Sequence, residues 1–560
     1  MAINSSKVEV RQPDAGLILN SNAANLPPGG LTETNNVHIR DGKIHTRNAF
    51  ISSTNFSGSE ESNIRRYLGF FHNRDYHNAA GNEFHAFYHV TNDQTIKTQK
   101  IVEDATAWSG TAAFSSSLAS NLDYWMNFTT VIEDTNNDGV IDDRYLLACP
   151  SVTHPGVFAA TNNHVRKYEN GNWTEVTGSL ECKRVLTFFG KTVYLGIDNA
   201  LKVRWSNQFD HANITVGNGS AGHTFLTETE GAIMNAALLK SSIVCYKEDS
   251  VYIGTNLTSS PFLTFEPLFP DLGLLGTQLL AVLGDKHYFV GTNNIYMYTG
   301  GGNPMPIGDQ IWTAFKDDLN DGGVNATQLY KHRAFTSIHR DSRHVLFWIP
   351  TGSEVWPNKA YVLDTQSGGW TTWTPPVSGD NKMYFTGWGE FAHDDDINDA
   401  EYIPVYGGAE DPSDGTESNK SIIYDYTTYS DCGHDDLNND QAILSSFATQ
   451  EVSTQLREGN GWSSFTVEMK GKGATDDVVV TSFDTEAGTN FITADTLSVT
   501  NARADVYTSQ IDRSSYGIRF KVSCATAGDG FEVSRYEIDP ESENQQQSYP
   551  YRGSGRSTLL

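Results

Sequence analysis

Apolar and polar positions in this chain mostly alternate with a period of two, and the apolar ones are filled largely by aromatic and β-branched residues, the pattern of half-buried strands. The alternating runs come in pairs joined by short polar or glycine-containing turns. Residues 191–205 read KTVYLGIDNALKVRW, 242–254 SIVCYKEDSVYIG and 286–302 KHYFVGTNNIYMYTGGG. Residues 343–373 open with RHVLFWIP and close with KAYVLDTQSGGWTTW. A single pair cannot bury its apolar face in water, whereas a ring or stack of pairs can. The unit returns roughly every 40–50 residues, the period of a four-stranded propeller blade. The pattern therefore predicts an all-β chain built around a β-propeller of about six to eight blades. Helical periodicity is scarce. Residues 231–240 (GAIMNAALLK) and 272–283 carry a short helical signal, but they read better as buried connections between blades.

The same pattern divides the chain. Residues 1–60 are an extended lead-in with a Pro27-Pro28-Gly29-Gly30 turn and a hairpin, in which residues 37–40 and 43–47 flank the turn signal Asp41-Gly42. Residues 61–440 hold the recurring strands of the propeller body. Between residues 408 and 441 the chain turns polar and acidic, which places a boundary near 440. Beyond it, segments 465–469, 477–482, 491–499, 517–522 and 531–538 predict a β-sandwich-like accessory domain over 441–540. Residues 541–560 (ESENQQQSYPYRGSGRSTLL) have the composition of a flexible tail.

Composition sharpens this picture in three ways. The 560 residues include 28 Phe, 25 Tyr and 11 Trp, an aromatic share that suits pleated surfaces, and 49 Gly that supply turns. The net charge of −29 argues against a protein that wraps nucleic acid, yet is compatible with a passage through which DNA slides, because like charges do not adhere. The five cysteines, Cys149, Cys182, Cys245, Cys432 and Cys524, are odd in number and widely spaced, with no CxxC, so they indicate neither a disulfide framework nor a zinc site. Cys149 and Cys245 sit in apolar runs and read as core thiols. The N-terminus lacks the charged and apolar regions of a secretory signal, and no run of ~18 apolar residues predicts a membrane span. The expected place of synthesis is a reducing cytoplasm.

The sharpest chemical motif is Asp134-Thr135-Asn136-Asn137-Asp138-Gly139-Val140-Ile141-Asp142-Asp143. Oxygen ligands at alternate positions wrap a hard cation, and glycine at the sixth position permits the tight turn. The expected ligands of a structural Ca²⁺ are the side chains of Asp134, Asn136 and Asp138, the Val140 carbonyl and Asp142. Tyr145 stands where a helix-loop-helix calcium site has its bidentate Glu, and the flanks read as strands, so the loop resembles the calcium hairpins within blades of integrin-type propellers. The other acidic clusters (Asp317-Asp318 with Asp321, Asp394 to Asp396, Asp435-Asp436 with Asp440) lack ligand spacing and read as solvated loops. Gly190-Lys191-Thr192 ends like a phosphate loop, but Val185 replaces the first glycine and both flanks are strands, which excludes a nucleotide site there. His72, His77, His85 and His89 share one strand-rich stretch and read as surface or satisfied histidines. No G-x-S-x-G or H-E-x-x-H is present, and no carboxylate pair stands out for glycoside cleavage.

Residues 271–312 read DLGLLGTQLLAVLGDKHYFVGTNNIYMYTGGGNPMPIGDQIW. This order of glycine-rich turn, apolar strand, Tyr-Phe-Val-Gly, Asn-Ile-Tyr-Met-Tyr, glycine turn and Pro-Ile-Gly resembles the β-propeller tail nozzle proteins of short-tailed bacteriophages. The lead-in (LPPGGLTETNNVHIRDGKIHTRNAF), residues 203–209 (VRWSNQF) and 244–254 (VCYKEDSVYIG) are similar to the opening and middle blades of that family. The resemblance covers roughly residues 15–430 and leaves out the 134–142 loop and the 441–540 domain. It implies a virion protein without enzymatic activity, several copies forming a homohexameric ring at the distal end of a short tail. Its expected partners are a tail adaptor protein above, tail fibres or tailspikes outside, and genomic DNA in transit during ejection, with no stable membrane insertion. The rival expectations are a carbohydrate-active propeller and a calcium-dependent receptor-binding propeller.

Overall fold

The computed structural model describes residues 8–52, 67–77, 83–91, 95–101, 108–112, 124–134, 138, 141–152, 164–169, 172–176, 181–320, 330–352, 354–378, 381–393, 401–409, 420–431, 441–453, 460–473, 477–485, 490–500 and 503–540. The chain folds as two compact units: Asn48–Gln366 with Thr372–Gln441, and Met1–Arg47 with Ser367–Thr371 and Ala442–Leu560.

Among the described residues the first unit is a β-propeller of seven four-stranded sheets, within the range expected from the repeat spacing. Six sheets take four consecutive strands each, and their first strands are Tyr67–His77, Tyr124–Glu133, Arg184–Phe188, Ile233–Leu239, Leu280–Leu283 and Phe335–His339. The seventh runs from Tyr384–His393 through Glu401–Ala409 and Lys420–Asp425, and Ala49–Ser52 from the start of the chain completes it. Each sheet stays open; what closes is the circuit of neighbours. The first strands of successive sheets lie side by side around most of the ring, and Tyr384–His393 of the seventh lies against Tyr67–His77 of the first. Between the fourth and fifth blades the link is made by side chains: Asn235 Nδ2 donates to Thr277 O at 2.6 Å, and Tyr246 meets His287.

The two stretches with a helical signal are not helical. Ile233–Leu239 is the innermost strand of the fourth blade and Leu280–Leu283 that of the fifth. Both faces of an inner strand are covered by adjacent blades, so its apolar run loses the period of two that marks a half-exposed strand. Six of the seven residues of Ile233–Leu239 are buried. The α-helix among the described residues, Trp312–Asn320, follows the fifth blade.

Tight turns are set by local chemistry. In the third blade Phe189 and Gly190 take positive φ (49° and 72°) between Arg184–Phe188 and Lys191–Leu195, so Phe189-Gly190 is the hairpin turn and Lys191 begins the next strand. A Cβ on Gly190 would fall 2.3 Å from the Phe209 ring, which makes glycine obligatory there.

The second unit is a β-sandwich. One sheet has the order Val37–Arg40, Lys43–Thr46, Phe531–Pro540, Asn460–Gly471, Asp505–Ser515, with Val8–Val10 also paired to Phe531–Pro540. The other runs Gly16–Leu17, Gly30–Asn35, Ser445–Thr449, Gly517–Cys524, Asp477–Thr485, Ile492–Val499. The segment read as a lead-in thus supplies strands to both sheets. Leu31, Val37 and Ile44 from that segment share one core with Phe447, Phe465, Phe520, Val522, Phe531 and Tyr536. The hairpin Val37–Arg40/Lys43–Thr46 has the expected register, with Asp41 and Gly42 at φ 52° and 76°, the mirror-image turn that an Asp-Gly pair favours. Among the described residues no helix is long and apolar enough to cross a membrane.

Candidate functional site

The acidic loop is the tip of the longest hairpin in the second blade. Tyr124–Glu133 and Asp143–Val152 pair in unbroken register from Tyr124↔Val152 to Glu133↔Asp143, so the connection begins at Asp134 and ends at Asp142. The Asp142 N–H donates to Glu133 O at 2.9 Å and closes its base. Asp134 is buried; its N–H donates to Phe209 O of the third blade at 3.0 Å. The Asp138 N–H donates to Asp134 Oδ1 at 3.2 Å, which folds the loop back over its first carboxylate. Asp138 and Asp142 are exposed. Asn136 and the Val140 carbonyl lie outside the described residues. The described part brings together Asp134 and Asp138 and leaves Asp142 at the foot of the loop. These are oxygen donors suited to a hard cation. Among the described residues, no three His, Cys, Asp or Glu side chains gather closely enough to hold a metal ion.

Below the tip, residues from two blades meet. His211 Nδ1 of the third blade sits 3.1 Å from Glu133 Oε1, and the His211 ring lies against Tyr145 with centroids 5.4 Å apart. Lys167 Nζ stands 4.2 Å over the Tyr145 ring, and Tyr145 OH donates to Asp143 Oδ2 at 3.1 Å. Burial raises the Glu133 pKa, but contact with His211 and the Lys167 charge outweigh it and hold the carboxyl below its ordinary range. An anionic Glu133 thus ties the base of the hairpin to the next blade.

Buried His–Tyr contacts recur at other junctions. Between the fourth and fifth blades, Tyr246 OH donates to His287 Nδ1 at 2.9 Å while His287 Nε2 donates to Leu238 O at 2.9 Å. Burial lowers the pKa of His287, consistent with the neutral ring this relay requires. Between the sixth and seventh, His339 Nε2 lies 2.7 Å and Ser337 Oγ 2.8 Å from Tyr406 OH, and Trp348 Nε1 donates to Ser337 Oγ at 3.0 Å. Arg340 Nε donates to Glu390 Oε2 at 2.8 Å beside them. These hydrogen bonds join side chains of neighbouring blades, the behaviour of junction pins in a water-poor interior. Sequence reasoning missed them because partners such as Glu133 and His211 meet only when two blades pack.

Cys149 and Cys245 are buried, as expected of core thiols, and the Cys149 and Cys182 Sγ atoms lie 3.3 Å apart between the second and third blades. Asp318 accepts from Lys359 Nζ and Tyr361 OH, each at 2.6 Å, so it is a packed partner and not a solvated loop acid. The side chains of His72, His77, His85 and His89, and the clusters at 394–396 and 435–440, lie outside the described residues.

No family model matches the chain, and no curated protein matches it. Solved structures similar to it include the exo-β-1,3-galactanase from Phanerochaete chrysosporium with galactose, at 8% identity and a TM-score of 0.24, over 83% of this chain and 98% of that one. The WD40 domain of Pan2 from Neurospora crassa is 9% identical with a TM-score of 0.32, over 64% of this chain and 95% of that one. PorZ from Porphyromonas gingivalis is 11% identical with a TM-score of 0.33, over 71% of this chain and 43% of that one. At these identities and scores none of them bears on chemistry. The sheets themselves define the class: a β-propeller protein with a β-sandwich unit.

Proposed function

We infer that the chain is a structural virion protein, the distal nozzle of a short bacteriophage tail. In this reading several copies form a homohexameric ring that conducts DNA during ejection and offers its outer surface to fibres or spikes. The observation that carries it is the residue pattern of 271–312, which resembles the phage nozzle family and coincides with one whole blade, from its entry loop to the first residue of the helix. Two features support it. The buried histidines and acids described above make contacts across neighbouring blades, and the charge of −29 suits a passage that must not retain DNA. A calcium ion in the 134–142 loop belongs to the same reading as a structural cation that stiffens a hairpin tip.

Electron microscopy of the purified chain and of its parent particles is the test. Rings of six copies, and the same density at the tail tip, are expected. A monomer absent from particles overturns the nozzle. Turnover of a polysaccharide by that monomer would favour a carbohydrate-active propeller, and EDTA-sensitive attachment to host cells a calcium-dependent receptor-binding one.

A further inference from the structure

Two sulfurs meet at the seam between the second and third blades. Cys149 lies in the strand Asp143–Val152, and Cys182 in the connection that leads to Arg184–Phe188. Their Sγ atoms are 3.3 Å apart, and the Cys149 thiol also reaches the Cys182 carbonyl at 3.4 Å. The backbones that carry them are fixed on both sides of the seam. Asn127 Nδ2 donates to Cys149 O at 3.0 Å, while its Oδ1 accepts from the Val185 N–H at 3.2 Å. Ser151 Oγ donates to Lys183 O at 2.7 Å, and Lys183 Nζ to Val152 O at 2.9 Å. The two thiols therefore face each other because a hydrogen-bonded seam holds them there.

A disulfide has an S–S bond of roughly 2.05 Å, so bond formation asks the sulfurs to approach by about 1.2 Å. Cys182 lies outside the strands, which leaves it free to make that adjustment. The surrounding charge also bears on the reaction. Arg184 Nε is buried without a hydrogen-bond partner. Burial brings the Arg184 pKa down to about 10, against the pull of both sulfurs, so the guanidinium stays charged at neutral pH. A fixed cation beside a sulfur lowers the cost of the transient thiolate that oxidation requires. Burial first, and the Cys149 thiol next, hold Cys182 well above the ordinary thiol range, so it rests protonated. Burial also selects the oxidant. Cys149 is 0% exposed and Cys182 4%, so a bulky disulfide reagent would need the seam to open, whereas a peroxide has two heavy atoms and needs the smallest opening.

We propose that Cys149 and Cys182 are a redox pair that closes to a disulfide when the folded chain meets an oxidant of the peroxide class, and that this bond staples the second blade to the third. In the first step one sulfur, as its thiolate, takes an oxygen from the peroxide as the O–O bond breaks, and one water leaves with a sulfenic acid formed. In the second step the other sulfur attacks the sulfenic sulfur, the S–O bond breaks and a second water leaves. Two thiols and one hydrogen peroxide thus give one disulfide and two waters. The bond closes a loop over residues 149–182 that contains the strands Arg166–Glu169 and Asn172–Glu175. The proposal does not rest on the nozzle reading.

The test is oxidation of the full, folded chain with hydrogen peroxide, followed by alkylation in denaturant and peptide mapping without reductant. The five thiols of the reduced chain are expected to fall by two, with Cys149 and Cys182 in one linked peptide pair lighter by two hydrogens. Dithiothreitol is expected to restore all five. The linked protein is expected to unfold about 3–6 °C higher than the reduced one, because the bond restricts the unfolded chain. Cys149→Ser and Cys182→Ser are expected to lose the link and the shift, and Cys245→Ser to keep both. The wild-type experiment decides the matter even where a variant fails to fold. Persistence of five thiols, loss of thiols without this link, a bond to another cysteine or between two chains, or an unshifted transition in the linked protein overturns the proposal.

Discussion

Glu532 shows how one residue's surroundings set the pH response of the sandwich. Its carboxylate lies 2.6 Å from Lys43 Nζ, 2.8 Å from Lys472 Nζ and 3.7 Å from His45 Nδ1. Burial raises its pKa, yet the two lysine hydrogen bonds and the surrounding positive charge win and bring it from 4.5 down to about 2. A carboxyl depressed on folding stabilises the native state above its unfolded pKa, and that stabilisation is lost as pH falls through the folded value. His45 adds to the same trend: burial lowers it from 6.5 to about 4, so its neutral form also favours the fold at higher pH. Glu532→Gln is expected to cost about 2 kcal/mol at pH 7, after allowance for the part-exposed Lys43. The gap between variant and wild type in thermal unfolding should close as pH falls from 4.5 towards about 2. A gap that stays constant over that range would contradict this account.

Among the elements, the strand Ala49–Ser52 carries the most consequence for its length. It is four residues long and completes the seventh sheet beside Lys420–Asp425. Phe50 fills the space between the sixth and seventh blades, with ring centroids 5.1 Å from Phe385, 5.3 Å from Tyr424, 5.5 Å from Tyr406 and 6.1 Å from Trp348. Asp431 Oδ1 accepts from the Phe50 N–H at 2.9 Å and fixes the strand's end. Because Phe50 is 0% exposed among rigid rings that cannot collapse into the gap, Phe50→Ala is expected to destabilise the propeller by about 3–5 kcal/mol. Denaturant unfolding followed by tryptophan fluorescence checks this, since Trp348 and Trp373 border the site. A loss below about 1 kcal/mol would mean the seventh blade holds without its fourth strand.

For the molecule as a whole, the excess of 68 acidic over 39 basic residues sets how it meets other polyanions. Affinity for duplex DNA comes mainly from neutralised phosphates, and a net charge of −29 works against it at any distance shorter than the screening length. No retention of double-stranded DNA is expected in a mobility-shift experiment at about 0.15 M salt. Stable retention there would reveal a basic surface hidden in the average and would count against a conduit that lets DNA slide.

The sequence by itself determined what depends on neighbours in the chain. The period-two runs marked strands, the Asp41-Gly42 pair fixed a hairpin, the repeat length implied blades, and the acidic stretch before Gln441 placed a boundary between units. Those signals are local, since turn chemistry and one-sided burial act over a few residues. Tertiary structure decided everything that depends on distant segments. It gave Ile233–Leu239 the role of an inner strand, because burial on both faces erases alternation. It drew Ala49–Ser52 across to the seventh blade and placed residues 8–46 in the sandwich, since an unpaired strand edge is satisfied by whichever partner the packed fold presents. The 134–142 segment was legible as a hairpin tip because polar turn residues stand there between two strand-like runs. The facing thiols of Cys149 and Cys182 were not legible as a pair, because their meeting depends on how the second and third blades pack, which no spacing along the chain encodes.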